Sequence, residues 1–489
     1  MKLKFFILFF FSNLCYSAPN ILLIIGDDMG NDTLASYGLS DDTATTATLD
    51  QLANEGIRFN NFWSQPVCSP TRATLLTGRY GFRTGIGRPA GGFELDDPPP
   101  LPAWATLSPS GGMAMGPPLT PSGGRAMGPP LTPSGGQRYR AMGAPLTGIE
   151  EIDRVRPIPR PGLDLDEYTL PKAFDNHLNY KTAAIGKWHL GGINNGAAHH
   201  PNMVGFDYAA TLPAGGPENY FSWNKVVNGE VTGTVGYAPV DKTNDAINWI
   251  AEQEDNPWFL WLAFNLVHTP MHISPEENWQ SNSPDNFKSM LEAMDTQIGR
   301  ILDSLSAEVR ANTYVIFMGD NGTTGQSISP PFSADKSKGS VFQGGVNVPL
   351  IVTGPNIPIG TANALVNSTD LFATIMEMAG IDPEEVVPED VTTDSVSFLP
   401  ILKDLNTPSQ RDWVYADAFF GSFEGIPTAD YAMRNHRYKL LRHQLEENFY
   451  DLQADPYENN NLLEGDLTEE QSENYLALKQ QIETLRNSE

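Results

Sequence analysis

Cysteine is almost missing from this chain: 489 residues contain two, Cys15 and Cys68. A disulfide framework is therefore excluded as the source of its stability. Cys15 falls in a stretch built like a secretory signal peptide, with a basic start (Met1-Lys2-Leu3-Lys4), an apolar run from Phe5 to Phe11 and a small-residue exit at Ser17-Ala18. Cleavage is expected after Ser17 or Ala18, giving an exported, periplasmic or secreted product in which Cys68 is the sole cysteine. Long hydrophobic runs are also missing. Phe5 to Phe11 is too short to span a bilayer and no later run reaches the required length, so no membrane anchor is expected. Basic residues are scarce, 31 Lys and Arg against 59 Asp and Glu, for a formal charge of −28. Such a chain repels nucleic acid and anionic membranes. A site for an anion would have to supply its own local positive charge.

What is present has the size of one large domain with a smaller one, since about 470 residues follow the signal-like segment. Asn20-Ile21-Leu22-Leu23-Ile24-Ile25-Gly26 reads as a buried strand of a parallel sheet, as do Thr182 to Gly186, Trp258 to Phe264 and Tyr314 to Gly319. Amphipathic helices are expected over 48–58, 241–254 and 288–305, with shorter ones over 172–178 and 371–379. The alternation predicts an α/β fold with a large, mostly parallel sheet flanked by helices. Beyond about Leu402 shorter strands and a charged helix over 469–486 predict a small α+β domain. The chain thus divides into a signal peptide 1–17, a main domain 18–401 and a C-terminal subdomain 402–489. Within the main domain, residues 98–148 differ in kind: Ala114-Met115-Gly116-Pro117-Pro118-Leu119-Thr120-Pro121-Ser122-Gly123-Gly124-Arg125 recurs almost unchanged over 126–137. Such a Pro/Gly-rich repeat buries too little apolar surface to offset its ordering entropy, and it reads as a surface insertion.

Polar clusters follow the strands. Asp27-Asp28 follow the first, Lys187-Trp188-His189 the second, His268 the third and Asp320-Asn321 the fourth. Parallel sheets gather such ends on one edge, where open α/β folds place their sites. Adjacent carboxylates after a buried strand are costly without a cation, and hard cations take oxygen ligands. Solvated turns and ion-paired surface lysines would explain each cluster singly, but their convergence is harder to dismiss. Cys68 lies in Val67-Cys68-Ser69-Pro70-Thr71-Arg72, where a helix start is expected with Ser69 as a possible cap and Arg72 one turn from Cys68.

Cys68-Ser69-Pro70-Thr71-Arg72 with Leu76-Thr77-Gly78-Arg79 resembles the signature of the type I, formylglycine-dependent sulfatases of the alkaline phosphatase superfamily. Gly186-Lys187-Trp188-His189-Leu190-Gly191 resembles their second signature, and matches at Asn20 to Met29, Gly319-Asp320-Asn321-Gly322 and Gly344-Gly345 follow in family order. The resemblance implies a sulfatase that hydrolyses sulfate esters; the signal-like start, the acidic charge and the lack of an expected membrane anchor favour an external sulfated carbohydrate or polysaccharide as substrate, with aryl sulfates as surrogates. It implies that a formylglycine-generating maturation enzyme oxidises Cys68 to formylglycine (3-oxoalanine), whose hydrate is the nucleophile. It also implies one Ca2+ held by Asp27, Asp28, residue 68, Asp320 and Asn321. By the same likeness Arg72, Lys187 and Lys338 hold the sulfate, His268 protonates the leaving oxygen and His189 takes a proton from residue 68. Lys336 competes with Lys338, which is preferred because Gly339 follows it. His272 is a candidate second acid or substrate contact, and His199 and His200 lie in a loop that could line the pocket. His177, His436 and His443 are assigned to structure. Gln343 and Asn347 depart from the Glu and Arg common in the family. Two other readings are open: a phosphate or phosphonate ester hydrolase of the same superfamily, against which the cysteine motif argues, and a non-catalytic binder of sulfated glycans, which would be expected to have lost Cys68, Arg72, His189 or His268.

Overall fold

The computed structural model describes residues 18–91, 105–107, 113–115, 162–175, 179–275, 285–419 and 429–488. The signal-peptide reading of 1–17, the repeat insertion apart from a short ribbon of Ala105–Leu107 with Met113–Met115, and His177 lie outside these residues.

The main sheet has ten strands. In chain order they are β1 (Asn20–Gly26), β2 (Ile57–Trp63), β3 (Lys181–Lys187), β4 (Tyr208–Leu212), β5 (Ser222–Val227), β6 (Glu230–Val235), β7 (Trp258–Ala263), β8 (Thr313–Gly319), β9 (Leu350–Thr353) and β10 (Gly360–Asn367). Across the sheet the order is β10-β2-β9-β8-β1-β7-β3-β4-β5-β6. The centre, β8 through β4, is parallel. The margins turn antiparallel, at β9 on one side and at β5 and β6 on the other.

Side-chain alternation divides the core between the two faces. Ile21, Leu23 and Ile25 of β1 join Phe259, Trp261, Ile316 and Met318 on one face; Leu22 and Ile24 join Leu260, Leu262, Val315 and Phe317 on the other. The second face is covered by α1 (Ala47–Glu55), whose Leu49 and Leu52 are buried, and the first by α2 (Cys68–Thr77). α3 (Ala238–Ala251) and α4 (Asn286–Ser304) add Trp249, Met290, Met294 and Ile298 to the second face. α5 (Asp370–Met378) adds Phe372 and Ile375 to the first.

Local differences from the sequence reading have physical causes. The helix expected over 48–58 ends at Glu55, because Gly56 is extended and Ile57 and Arg58 enter β2 beside β9 and β10. β9 begins at Leu350, directly after Pro349, which has no N–H for the ladder.

The C-terminal part is an antiparallel sheet of β11 (Val414–Ala418), β12 (Asp430–Arg434), β13 (Tyr438–His443) and β14 (Glu446–Asp451). α6 (Glu469–Asn487) lays Leu478, Ile482 and Leu485 against it. Its other face meets the main domain through Val414, Ala416 and Leu441, packed with Trp63, Val341 and Val346.

Candidate active site

Register places the site. Gly26 of β1 pairs with Gly319 of β8, so Asp27 and Asp320 leave the sheet side by side. Asp320 N donates to Gly26 O at 3.0 Å, and Asp28 N donates to Asp320 Oδ1 at 3.1 Å. On the other flank Gly186 pairs with Ala263, which delivers Lys187 and the residues after β7 to the same edge.

α2 points its first residue at these carboxylates. Cys68 is 2% exposed, and its Sγ lies 3.4 Å from Asp27 Oδ1, 3.2 Å from Lys187 Nζ and 3.7 Å from Lys338 Nζ. Lys187 Nζ donates to both Asp27 oxygens, at 2.8 and 2.6 Å. Lys338 Nζ donates to Asp28 Oδ1. One ligand atom from each of Asp27, Asp28, Cys68 and Asp320 lies within 4.8 Å of the others. Asn321 Nδ2 donates to Asp28 Oδ1 at 2.9 Å, while its Oδ1 is buried with no partner. A buried amide oxygen without a donor, next to three carboxylates, suits a hard cation. The expected ligand set thus converges, and the donors present fit the ion.

Arg72 is placed differently from the expectation. It is fully buried, its Nε and Nη2 donate to Asp320 Oδ2 at 3.2 and 2.8 Å, and Nη1 donates to Lys187 O at 2.8 Å. With its fork spent on these partners it reaches no open space, so it orients Asp320 and adds charge from behind rather than gripping a ligand. Lys338, His189 and His268 form the more open side. Lys336 is turned away: its Nζ donates to Glu458 O at 2.5 Å and lies over the Phe342 ring.

Other histidines separate from the site. His272 is 2% exposed, with Nε2 3.0 Å from Tyr237 OH and its ring 4.5 Å from that of Tyr220. That burial removes it as a second acid or substrate contact. His200, offered as a pocket or surface residue, is instead fully buried and accepts from Trp188 Nε1 at 3.0 Å. His199 is exposed. Gln343 Oε1 accepts from Trp63 Nε1 at 2.9 Å, and Asn347 Nδ2 donates to Asn60 O at 3.3 Å. Gln343 thus holds the Trp63 indole beneath the C-terminal sheet, and Asn347 bonds to the backbone of β2.

Electrostatics follow from crowding charges in a dry place. Burial pushes the Asp27 carboxyl up to about 7, against Lys187, with Asp320 and Asp28 adding to the rise. Burial also acts on Asp28, but Lys338, His268 and Lys187 outweigh it and hold the carboxyl well below its usual range. The Cys68 thiol is pushed up to about 12 by burial and by Asp320, more than the two ammonium groups offset. His268 is held down to about 4 by burial and by Lys187, and His189 is lowered by burial, Lys187 and Arg72. Both imidazoles are thereby held toward the neutral form. Asp28 and His189 adopt left-handed backbone, with φ of 63° and 59°. Strain of this kind at non-glycine residues collects at functional sites.

Ser69 was read as a possible helix cap. The cap position is Val67, without a side-chain bond, and Ser69 does something else. Its Oγ donates to His189 O at 2.7 Å and accepts from Ala90 N at 2.9 Å. It ties the start of α2 to the strained backbone of His189. A contact between residues so far apart in the chain leaves no periodic signal in the sequence. Ser69→Ala would leave two buried backbone groups unpaired, and should lower the unfolding free energy by about 1–3 kcal/mol. Urea unfolding measures this; an unchanged midpoint would show that the bond carries no load.

Comparison with known proteins adds a second kind of observation. The sequence model of the family described as Sulfatase matches residues 19–106 and 140–381, and that described as N-sulphoglucosamine sulphohydrolase, C-terminal, matches 336–488. The uncharacterized sulfatase YdeN of Escherichia coli (strain K12) is 25% identical over 488 residues, covering 88% of this chain and 73% of its own. The N-acetylgalactosamine-6-sulfatase of Sus scrofa is 27% identical over 418 residues, covering 78% of this chain; this chain spans 66% of its length, or just under two thirds. The crystal structure of Ps i-CgsB in complex with k-i-k-neocarrahexaose superposes with a TM-score of 0.70 at 22% identity, over 96% of this chain and 93% of that one.

Proposed function

The chain belongs to the sulfatase family of the alkaline phosphatase superfamily and is a sulfuric ester hydrolase, and from that premise we propose that it is an exported carbohydrate sulfatase acting through formylglycine at position 68 and one Ca2+. The observation that carries the reading is the meeting of Cys68 with three carboxylates, an unpartnered amide oxygen and two lysines at one sheet edge. The name of the porcine relative, which specifies a sulfated amino sugar, supports the carbohydrate. The signal-like start of the chain supports export.

Asp27, Asp28, Asp320, Asn321 and residue 68 would hold the calcium, which polarises sulfate oxygens and favours ionisation of the nucleophile. The formylglycine hydrate supplies that nucleophilic oxygen and a second hydroxyl through which the aldehyde is regenerated. The remaining steps belong to the side chains. Lys338, 19% exposed at its side chain, would face the equatorial sulfate oxygens and stabilise the charge that builds on them, while Lys187, fully buried with its Nζ donating to both Asp27 oxygens and to Cys68 Sγ, adds charge from behind. With the cation bound, the ion-paired cluster would carry the net positive charge that admits an anion to a protein of −28. Arg72 fixes Asp320 and contributes charge through it. His268 has Nδ1 3.0 Å from Thr269 O, so Nδ1 carries hydrogen and Nε2 is the nitrogen free to deliver a proton to the leaving oxygen. A bound sulfate ester favours the charged imidazole it needs. His189, held by Ser69, takes a proton from residue 68 afterwards.

The test is sulfate release from a panel of defined sulfated oligosaccharides, measured by ion chromatography. Release from at least one, lost on chelation, is expected. Turnover of aryl sulfates with none of any sulfated carbohydrate would overturn the carbohydrate assignment.

A further inference from the structure

The segment after β4, residues 212–220, touches both active-site histidines. Leu212 O accepts from Trp188 N at 2.9 Å and Pro213 O accepts from His189 N at 3.1 Å. Two residues on, Gly215 lies against the His189 ring. A Cβ there would sit 2.9 Å from Cε1, 3.3 Å from Nε2 and 3.4 Å from Nδ1. Gly216 lies against the other imidazole: its Cβ would sit 2.9 Å from His268 Nδ1 and 3.3 Å from both Cε1 and Thr269 O. The segment ends at Tyr220, whose hydroxyl reaches Asn265 O at 2.5 Å and His268 O at 2.8 Å.

Among the described residues neither ring is hydrogen-bonded to a carboxylate, although Asp28 acts on His268 through its charge. His189 Nδ1 is buried without a partner, and His268 Nδ1 meets only Thr269. Their orientation must come from what packs on them. Carbon atoms in contact prefer about 3.5–4.0 Å, so a Cβ at 215 or 216 would oblige the imidazole beside it or the loop itself to shift. Pro213 and Pro217 flank the pair and restrict the loop's freedom to retreat.

We propose that Gly215 and Gly216 are positioning residues, each serving one imidazole. Gly215 holds His189 toward residue 68, and Gly216 holds His268 toward the leaving group. Substitutions one residue apart then separate the two proton transfers. The proposal rests on the sulfatase reading for the roles of the rings, though not for the contacts.

Three measurements test it on the full chain. In wild-type protein with labelled histidine, nuclear Overhauser contacts are expected from Gly215 Hα to the His189 ring and from Gly216 Hα to the His268 ring; their absence overturns the proposal without any variant. In Gly215→Ala the His189 ring signals should move, and in Gly216→Ala those of His268. In kinetics on protein matched for modification at residue 68, Gly216→Ala should raise the ratio of kcat/KM for nitrophenyl sulfate over that for an alkyl or sugar sulfate by roughly 30-fold or more, because a good leaving group needs no acid. Gly215→Ala should lower kcat for both by the same factor. Equal losses on all esters in Gly216→Ala, or ring signals unmoved in both variants, would overturn it. Failure of wild-type protein to cleave any sulfate ester would sink the sulfatase reading instead, and leave the magnetic-resonance arms standing.

Discussion

Cys68→Ala is expected to abolish sulfate ester hydrolysis, lowering kcat/KM by roughly 10⁴-fold or more, the scale on which removal of a nucleophile acts. The expectation does not depend on cysteine chemistry. Burial and Asp320 push the Cys68 thiol up to about 12, so at neutral pH it carries almost no thiolate, although Lys187 and Lys338 stand 3.2 and 3.7 Å away. An unmodified thiol here is a poor nucleophile. Its neighbours are arranged for an oxygen: three carboxylates and an amide that suit a hard cation, and two ammonium groups facing an anion. Cys68→Ser separates the two requirements. A lone hydroxyl could attack once but lacks the second oxygen needed for release by elimination, so one turnover followed by arrest is expected. Peptide mass spectrometry of protein from its native host should find an aldehyde at position 68. Active protein carrying only thiol there would overturn the mechanism.

The sequence exposed the centre of this molecule better than its margins. β1, β3, β7 and β8 are buried on both faces, so they read as unbroken apolar runs, and the residues that follow them are the site. β6 is the edge strand and mostly exposed, and β5 beside it, though largely buried, mixes Ser222, Asn224 and an ion-paired Lys225 with Trp223 and Val226, so neither showed an unbroken apolar run. The antiparallel pair β5–β6 went unseen for that reason. Arg72 was legible as a cation one turn from Cys68, but the direction of its guanidinium depends on Asp320, 248 residues away. Ser69 on His189 and the glycine pair on both imidazoles are likewise products of tertiary approach. Glycine is chosen at 215 and 216 for what is missing, and a missing atom carries no hydropathy.

Calcium is expected to stabilise the folded protein and to be required for turnover, and the charge arrangement says why. Asp27, Asp28 and Asp320 face Lys187, Lys338 and Arg72 in three buried pairs, so the cluster alone is neutral. A neutral pocket has no reason to draw a sulfate ester from water into a strongly acidic protein. A divalent cation leaves two positive charges in excess, which match the ester's single negative charge and one ionised oxygen on residue 68. It also answers the two unsatisfied features of the cluster: Asp27, whose carboxyl burial raises to about 7 even beside Lys187, and the orphan oxygen of Asn321. Calcium at about 100 times its dissociation constant should therefore add roughly 2.7 kcal/mol to folding, read as a rise in Tm that a chelator reverses. Chelated enzyme should lose at least about 10²-fold in kcat/KM, given the several kcal/mol a Lewis acid contributes. Asn321→Ala is the sharper probe, since it removes the orphan oxygen and leaves all three ion pairs in place. Its Tm without calcium should fall by the loss of the Nδ2 hydrogen bonds to Asp28 and Gly322 O, while the calcium-dependent rise shrinks and the calcium needed for half activity increases. A wild-type Tm indifferent to calcium, or an Asn321→Ala protein that responds to it as the wild type does, would show that these oxygens are not the ligands.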